Sequence, residues 1–406
     1  MSSFLFPYTT LPGVQFDYSR YYLPATLVQE AMSGVTSTIG LRSYPLVHFE
    51  YDFEFLRDYN GEKQALEGLI NAVGGRFDTF LHTDPDFNTV SNMQFVTTDG
   101  VTTLYALTAN NQNIGGPGTP ELIQNLNGAA VIYVDRFTGT GTEILSPTSR
   151  TNYLLQSQTL ATTWTATNVT PTNASQTAPD GTTTGTKILE TTANAVHTEA
   201  QTVTIPSASA DVTFSIWVEA NFTRTWAGLQ VQENTGNTVI NQTFNLTSTG
   251  SLGTTHATGT NWSNLRASIA QFGAYYRISI TGTKTNAATG LTATLFVSNA
   301  DSLAAYTGVA TDGLTAWGAQ LELDTIGAGA PSFYLVTTAA TVTQTDYTQG
   351  ATAAVQFSFT PLANWLLSWS GSFYYRCRFD EDHYEFKKFM KGLWTVDKVT
   401  FTSMTL

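Results

Sequence analysis

Val47-His48-Phe49-Glu50-Tyr51-Asp52-Phe53-Glu54-Phe55 alternates large apolar side chains with charged or ionisable ones. Successive side chains of a strand point to opposite faces, so the apolar groups fall on one side and the acids on the other: a half-buried β-strand. A second run of this kind begins at Trp365. One parity holds Trp365, Leu367, Trp369, Phe373, Tyr375, Cys377 and Phe379, and the other mainly Ser368, Ser370, Ser372, Tyr374, Arg376 and Arg378. Cys377 therefore belongs to the apolar face. No basic residue shares that face to lower its pKa, which predicts a packing thiol rather than a nucleophile.

The two runs stand near opposite ends of the chain and share one grammar. Residues 1–145 and 345–406 carry most of the charged and aromatic side chains, whereas 146–344 is rich in Thr, Asn, Ala and Gly. This predicts one host domain made from 1–145 and 345–406, interrupted by an inserted domain over 146–344. Insertions are tolerated at surface hairpin tips that leave the host core untouched. Within the host, Leu66, Leu69, Ile70 and Val73 at helical spacing predict a helix capped by Asn60 and closed by Gly74-Gly75. Phe386, Phe389, Met390, Leu393 and Trp394 predict a second short helix. Asp99-Gly100 and Asn127-Gly128 predict hairpin turns.

Composition narrows the function. At 406 residues with 42% hydrophobic side chains the chain can bury real cores, and a formal charge of −13 would repel phosphate backbones, so nucleic acid is excluded as a partner. No apolar run reaches membrane-spanning length, and the start Met1-Ser2-Ser3-Phe4-Leu5-Phe6-Pro7 lacks the basic residues and cleavage site of a signal peptide; no membrane insertion is expected. The single cysteine excludes an intramolecular disulfide and a multi-cysteine metal site.

Several host segments carry a family resemblance. Phe6-Pro7, Leu11-Pro12-Gly13, Val28-Gln29-Glu30, Gly74-Gly75-Arg76-Phe77-Asp78-Thr79-Phe80-Leu81 with Thr83-Asp84-Pro85, and Trp369 through Asp380 resemble, in that order, the distal tail proteins of tailed phages and gene transfer agents. Asp346-Tyr347-Thr348-Gln349-Gly350 through Val355-Gln356-Phe357 resembles a hairpin of the same family, normally continuous with the strand near Val134. The resemblance implies a structural, non-enzymatic virion protein. Such proteins form a ring, commonly a homo-hexamer, at the virion tail tip, and join the tail tube protein to the baseplate hub proteins. Assembly in the bacterial host cytoplasm is implied with it. The long insert and Asp380-Glu381-Asp382-His383 depart from the family pattern.

The insert opens at Ser146-Pro147 and Arg150-Thr151-Asn152-Tyr153-Leu154-Leu155-Gln156-Ser157, turns at Ala178-Pro179-Asp180-Gly181-Thr182, and nears its close at Trp317-Gly318-Ala319-Gln320-Leu321-Glu322. These segments resemble the jelly-roll carbohydrate-binding modules inserted in phage tail and adhesion proteins. Independently, Gly, Thr and β-branched residues at short spacing predict a two-sheet β-sandwich. The expected fold class is thus mainly β: an antiparallel β-sandwich or barrel host with two helices, interrupted by a β-sandwich insert.

Alternation sorts the insert's residues. Val212, Phe214, Ile216 and Val218 share an inner face, as do Leu229 and Val231, and Tyr276, Ile278 and Ile280. Trp217, Trp226, Gln230, Gln232, Tyr275 and Arg277 then point outward. Rings flanked by amides and a guanidinium suit a sugar, whose apolar face packs on a ring while polar groups bind its hydroxyls, so these six are the candidate carbohydrate contacts. The competing reading is that the aromatics cover a loop or an interface with the host. Trp317, sharing a parity with Leu321 and Leu323, is read as core.

Catalysis would require two carboxyls facing one glycosidic bond. The acidic runs Asp84-Pro85-Asp86 and Asp380-Glu381-Asp382 read as turn or solvated residues, and no catalytic residue is assigned. The five histidines His48, His82, His197, His256 and His383 are too dispersed to suggest zinc. No cofactor is expected. Modules like the insert often hold a structural calcium, but no acidic loop names its ligands. The expected function is a distal tail ring subunit whose insert binds a host surface polysaccharide during adsorption. The alternatives are a tail-associated glycan hydrolase, or an insert that serves as spacer or docking surface for another baseplate protein.

Overall fold

Leu366–Phe379 is the strand on which segments from both ends of the chain assemble. In the computed structural model, which describes residues 4–7, 14–42, 44–110, 121–136, 142–207, 210–236, 238–323, 331–350 and 352–404, this strand runs through a ten-stranded sheet. Leu11-Pro12-Gly13 and the side chain of His256 lie outside the described residues. The main strand order is Val14–Leu23, Leu46–Arg57, Leu393–Ser403, Leu366–Phe379, Val131–Asp135 and Glu143–Leu145, with every pairing antiparallel. Trp369 stands opposite Ile132 on one side and Met93 on the other, and Phe379 opposite Phe401.

The predicted parities sort the core. Phe49, Tyr51, Phe53, Leu367, Trp369, Phe373, Cys377 and Phe379 are buried in one apolar cluster. Phe49 and Trp369 thus share packing although they come from opposite ends of the sequence. Burial pushes the Cys377 thiol up, as suits a packing residue. Phe55 departs from the pattern and is exposed, with Leu56 buried in its place. Leu56 opposes Trp394 and Phe53 opposes Val396, so the strand carries an extra residue here and its later side chains change face.

The helix Glu62–Val73 buries Leu66, Leu69 and Val73, and ends at Gly74, whose φ of 66° is left-handed. Its N-cap is Gly61 rather than Asn60. It is the one helix among the described residues. The second predicted helix is instead a hairpin: Phe386–Met390 pairs with Leu393–Ser403, turning through Gly392 at φ 77°. Its apolar positions fit either periodicity, and pairing to Leu46–Arg57 decides for strand. Neither predicted turn makes a hairpin. Asp99 Oδ1 accepts from the amides of Val101 and Thr102, yet Thr89–Thr97 joins Leu366–Phe379 while Leu104–Ala106 joins Ala354–Phe357. Around Gly128, Asn125–Leu126 and Val131–Asp135 both pair with Leu366–Phe379, so the turn steps the chain along one edge.

Residues 165–323 build two six-stranded antiparallel sheets packed as a sandwich. The first runs Thr165–Thr167, His197–Thr204, Gly290–Ser298, Trp226–Glu233, Val239–Asn245 and Ser251–Thr258; the second runs Val169–Gln176, Gly185–Glu190, Gly313–Leu323, Ala210–Phe222, Tyr275–Lys284 and Trp262–Phe272. Between them Phe214, Ile216, Leu229, Val231, Ile240, Phe244, Ile278, Ile280, Leu295 and Leu321 form a second apolar cluster. The molecule is mainly β, as expected. Among the described residues no helix is long and apolar enough to cross a membrane.

The sandwich leaves and rejoins the first sheet system at one place. Arg150–Asn152 pairs with Val342–Gln344, and the Arg150 guanidinium holds both oxygens of Asp346 at 2.9 Å. Both side chains are buried.

Candidate functional site

The six candidate sugar contacts do point away from the sandwich core, but they divide between its two outer faces. Trp217, Tyr275 and Arg277 lie on the outer face of the second sheet and are 0%, 5% and 3% exposed. Their expected exposure is corrected: this face is covered. The Trp217 ring centroid lies 5.2 Å from Trp317 and 5.3 Å from Tyr334, and the Arg277 guanidinium sits 4.2 Å above the Trp217 ring. Arg277 Nη1 donates to Glu143 Oε1 at 2.9 Å, and Nη2 to Ser215 Oγ at 3.2 Å. Glu143 belongs to Glu143–Leu145 of the first sheet system and also pairs with Arg136. Burial pulls Arg277 down to about 10, so it remains charged at neutral pH beside Glu143.

Trp317 is buried, but in the cluster with Trp217 and Tyr334 rather than with Leu321. Gly318 explains the change of face. Its φ is +68°, and Trp217 opposes Trp317 while Ser215 opposes Gln320, a bulge that flips parity at this point.

Trp226, Gln230 and Gln232 lie on the outer face of the first sheet and are partly exposed. Gln230 stands opposite Asn241 on one side and Thr294 on the other, and Gln232 opposite Thr292. Thr292 in turn opposes Thr202. Directly opposed residues share a face, so amides and hydroxyls form a continuous ladder. Asn241 Nδ2 donates to Gln230 Oε1 at 3.3 Å, Thr202 and Thr292 share a hydroxyl bond of 2.9 Å, and Thr292 donates to Asn234 Oδ1 at 2.9 Å. Asn241 is 7% exposed, and its Oδ1 has no hydrogen-bond partner among the described residues. A buried carbonyl left unpaired costs about 1–3 kcal/mol.

Trp226 stands apart from that ladder. Leu303 covers Gly228 between Trp226 and Gln230, leaving no room for even a methyl group there, since a Cβ at Gly228 would lie 2.3 Å from Leu303 Cδ2. The Trp226 ring lies instead over Gly253, beside Asp301, whose Oδ1 accepts from the amide of Thr254 at 2.9 Å. Asn241, Thr292, Thr294 and Thr202 were absent from the sequence reading. The alternation Val239, Asn241, Thr243, Asn245 against Ile240 and Phe244 was the signal that could have found the first of them.

The acidic runs are not simply solvated. Asp84 is fully buried, 2.9 Å from Arg20 Nε, and accepts from Tyr18 Oη at 2.7 Å. It also caps its own turn through the amide of Asp86. Asp382 accepts from the amide of Arg76 at 2.8 Å. Among the described residues no three His, Cys, Asp or Glu side chains stand close enough to share a metal ion, so no donor set for calcium can be named.

No protein-family model matches the chain, and no curated protein matches it significantly. Among solved structures it is similar to the enzymatically active domain of tailspike protein 4 from bacteriophage CBA120, with 12% identity and a TM-score of 0.27. The match covers 43% of this chain and 21% of that one, so the chain spans about a fifth of its length. At this level the likeness assigns no activity. The expectation of a non-enzymatic protein is nevertheless corrected, because the structure this chain is similar to is described as enzymatically active.

Proposed function

We propose that the chain is a tail-tip subunit of a phage or gene transfer agent particle whose sandwich, an inserted module over 146–344, holds a host surface polysaccharide. The observation that carries this reading is the partly exposed amide and hydroxyl ladder of Gln230, Gln232, Thr292 and Thr202, braced by the buried Asn241 through its bond to Gln230. Uncharged donors and acceptors on a firm sheet match the hydroxyls of a sugar chain. The ion pair of Arg277 with Glu143 fixes the opposite face of the sandwich to the first sheet system, so the ladder is held outward at a set angle.

The ring that the distal tail resemblance implies, a homo-hexamer between tail tube protein and baseplate hub proteins, supplies what one shallow face lacks. Several copies on a rigid ring raise effective concentration, and avidity can exceed site affinity by about 10²–10⁴. The hairpin of Thr26–Glu30 with Thr36–Gly40 supports assembly: all its residues are exposed, including Leu27, Val28 and Ile39. A lone two-stranded hairpin is marginal in water, and a neighbouring subunit would cover it.

A glycan array with the full chain, beside Gln230→Ala/Asn241→Ala and Trp226→Ala variants, tests the reading. Loss of glycan retention in the double variant is the expected result; equal retention removes the ladder from the site. The same samples are assayed for new reducing ends, whose appearance would replace holding by hydrolysis.

A further inference from the structure

A groove of about 420 Å³ opens at the end of the second sheet, between Gln176 and Pro179 on one segment and Phe272 and Tyr275 on another, with Glu219 and Asn221 also lining it. This volume lies within the roughly 300–1,000 Å³ of small-molecule sites. It is separate from the Gln230 ladder, which belongs to the other sheet. The groove is braced: Tyr275 Oη donates to the Thr177 carbonyl at 2.7 Å, closing one segment onto the other. Phe272 and Tyr275 are 4% and 5% exposed, so they shape the groove rather than offer a stacking face.

Glu219 is the chemically distinctive group. It is half-buried and receives Asn221 Nδ2 at 3.1 Å, with the Tyr275 hydroxyl close by. Among the described residues no Lys, Arg or His forms an ion pair with it. Burial holds its carboxyl above the ordinary value. A carboxylate in a polar groove without a counter-cation is met best by a ligand ammonium, through a short charge-assisted hydrogen bond. Asn221 Nδ2 also reaches Gln176 Oε1 at 3.4 Å and Asn221 Oδ1 accepts from Thr315 Oγ1 at 2.9 Å, which leaves Gln176 Nε2 as a donor and a second lone pair on each amide oxygen for neighbouring hydroxyls.

We propose that this groove binds an amino sugar, with its ammonium on Glu219 and its hydroxyls on Gln176 and Asn221. This site is independent of the ladder, and a host surface rich in unacetylated amino sugar would engage both.

Titration calorimetry on the full-length protein at neutral pH, with glucosamine, N-acetylglucosamine, glucose and lysine amide as probes, tests it. Glucosamine is expected to bind, with the other three at least about tenfold weaker, because acetylation removes the charge and lysine amide lacks the ring hydroxyls. Glu219→Gln should weaken glucosamine at least about tenfold, and Ala274→Phe, which narrows the groove without touching the carboxylate, should do the same. Both variants should keep the wild-type circular dichroism and the wild-type retention of neutral glycans. No glucosamine binding, equal binding of glucosamine and N-acetylglucosamine, tighter binding of lysine amide, or undiminished binding by Glu219→Gln would each overturn the assignment.

Discussion

Ser146 and Asp346 lie 200 residues apart in sequence and exchange hydrogen bonds: the Ser146 amide donates to Asp346 Oδ2 at 2.7 Å, and the Asp346 amide to the Ser146 carbonyl at 2.9 Å. The whole sandwich is traversed between two residues that touch. Asp346 also neutralises Arg150, which is 3% exposed. Replacing Asp346 by Ala would strand that guanidinium in the interior, and losing one partner of a buried pair costs about 3–5 kcal/mol. A urea titration should show the midpoint falling accordingly, with Asp346→Asn less affected because it keeps an acceptor for the Ser146 amide.

Glu143 is the second tie. It is 1% exposed and accepts from Arg277, Arg136 and the Tyr334 amide. Glu143→Ala should destabilise by about 3–5 kcal/mol, and Glu143→Ala/Arg277→Leu by less than the sum of the single changes, since the Arg277 guanidinium is then no longer stranded and only Arg136 has lost its bond to Glu143. An additive double-mutant cycle would show that the two groups do not interact.

Gly318 should not tolerate a side chain. Its φ is +68°, and a Cβ would stand 2.7 Å from Cε3 of Trp217. Gly318→Ala should cost on the order of 1–3 kcal/mol from the backbone strain, and the ring contact adds to it. Thermal melting measures the loss, and an altered tryptophan emission would locate it at Trp217 and Trp317.

Stability should fall on the alkaline side because of Glu199. It is 1% exposed, neither oxygen has a hydrogen-bond partner among the described residues, and burial pushes its carboxyl up to about 8 from 4.5. A raised folded value stabilises fully below the unfolded value, and that contribution disappears as pH rises from 4.5 to about 8. Each unit is worth about 1.4 kcal/mol, so Glu199→Gln should melt above the wild type in mildly alkaline buffer and close to it near the lower bound. Identical melting curves across that range would contradict a buried, unpaired acid.

On the acid side His82 acts in the opposite sense. It is fully buried against Tyr51 Oη at 3.0 Å, and burial, then the Arg20 charge, hold it down to about 3 from 6.5. The unfolded chain takes up that proton first, so stability present above 6.5 is lost as pH falls toward 3. His82→Asn should flatten this limb of the stability profile, measured as melting temperature against pH.

Period-two alternation was enough to place Phe49, Tyr51, Trp369 and Phe379 inside one core and Phe214, Leu229 and Ile278 inside another, because a strand's side chains have only two directions. It failed where an extra residue enters a strand, at Phe55 and Gly318, and where an apolar run fits both periodicities, at Phe386–Trp394. Bulges and partner strands are not written in local spacing. The site divides along the same line. Alternation alone determined that Trp217, Trp226, Gln230, Gln232, Tyr275 and Arg277 turn away from the sandwich core. Which outward face stays open was decided only by packing: Glu143 arrives from 134 residues away to pair with the buried Arg277, Tyr334 packs against Trp217, and Gln230 and Gln232 stay partly exposed. The direction of a side chain is a property of its own backbone, whereas its exposure depends on every distant segment that comes to rest above it.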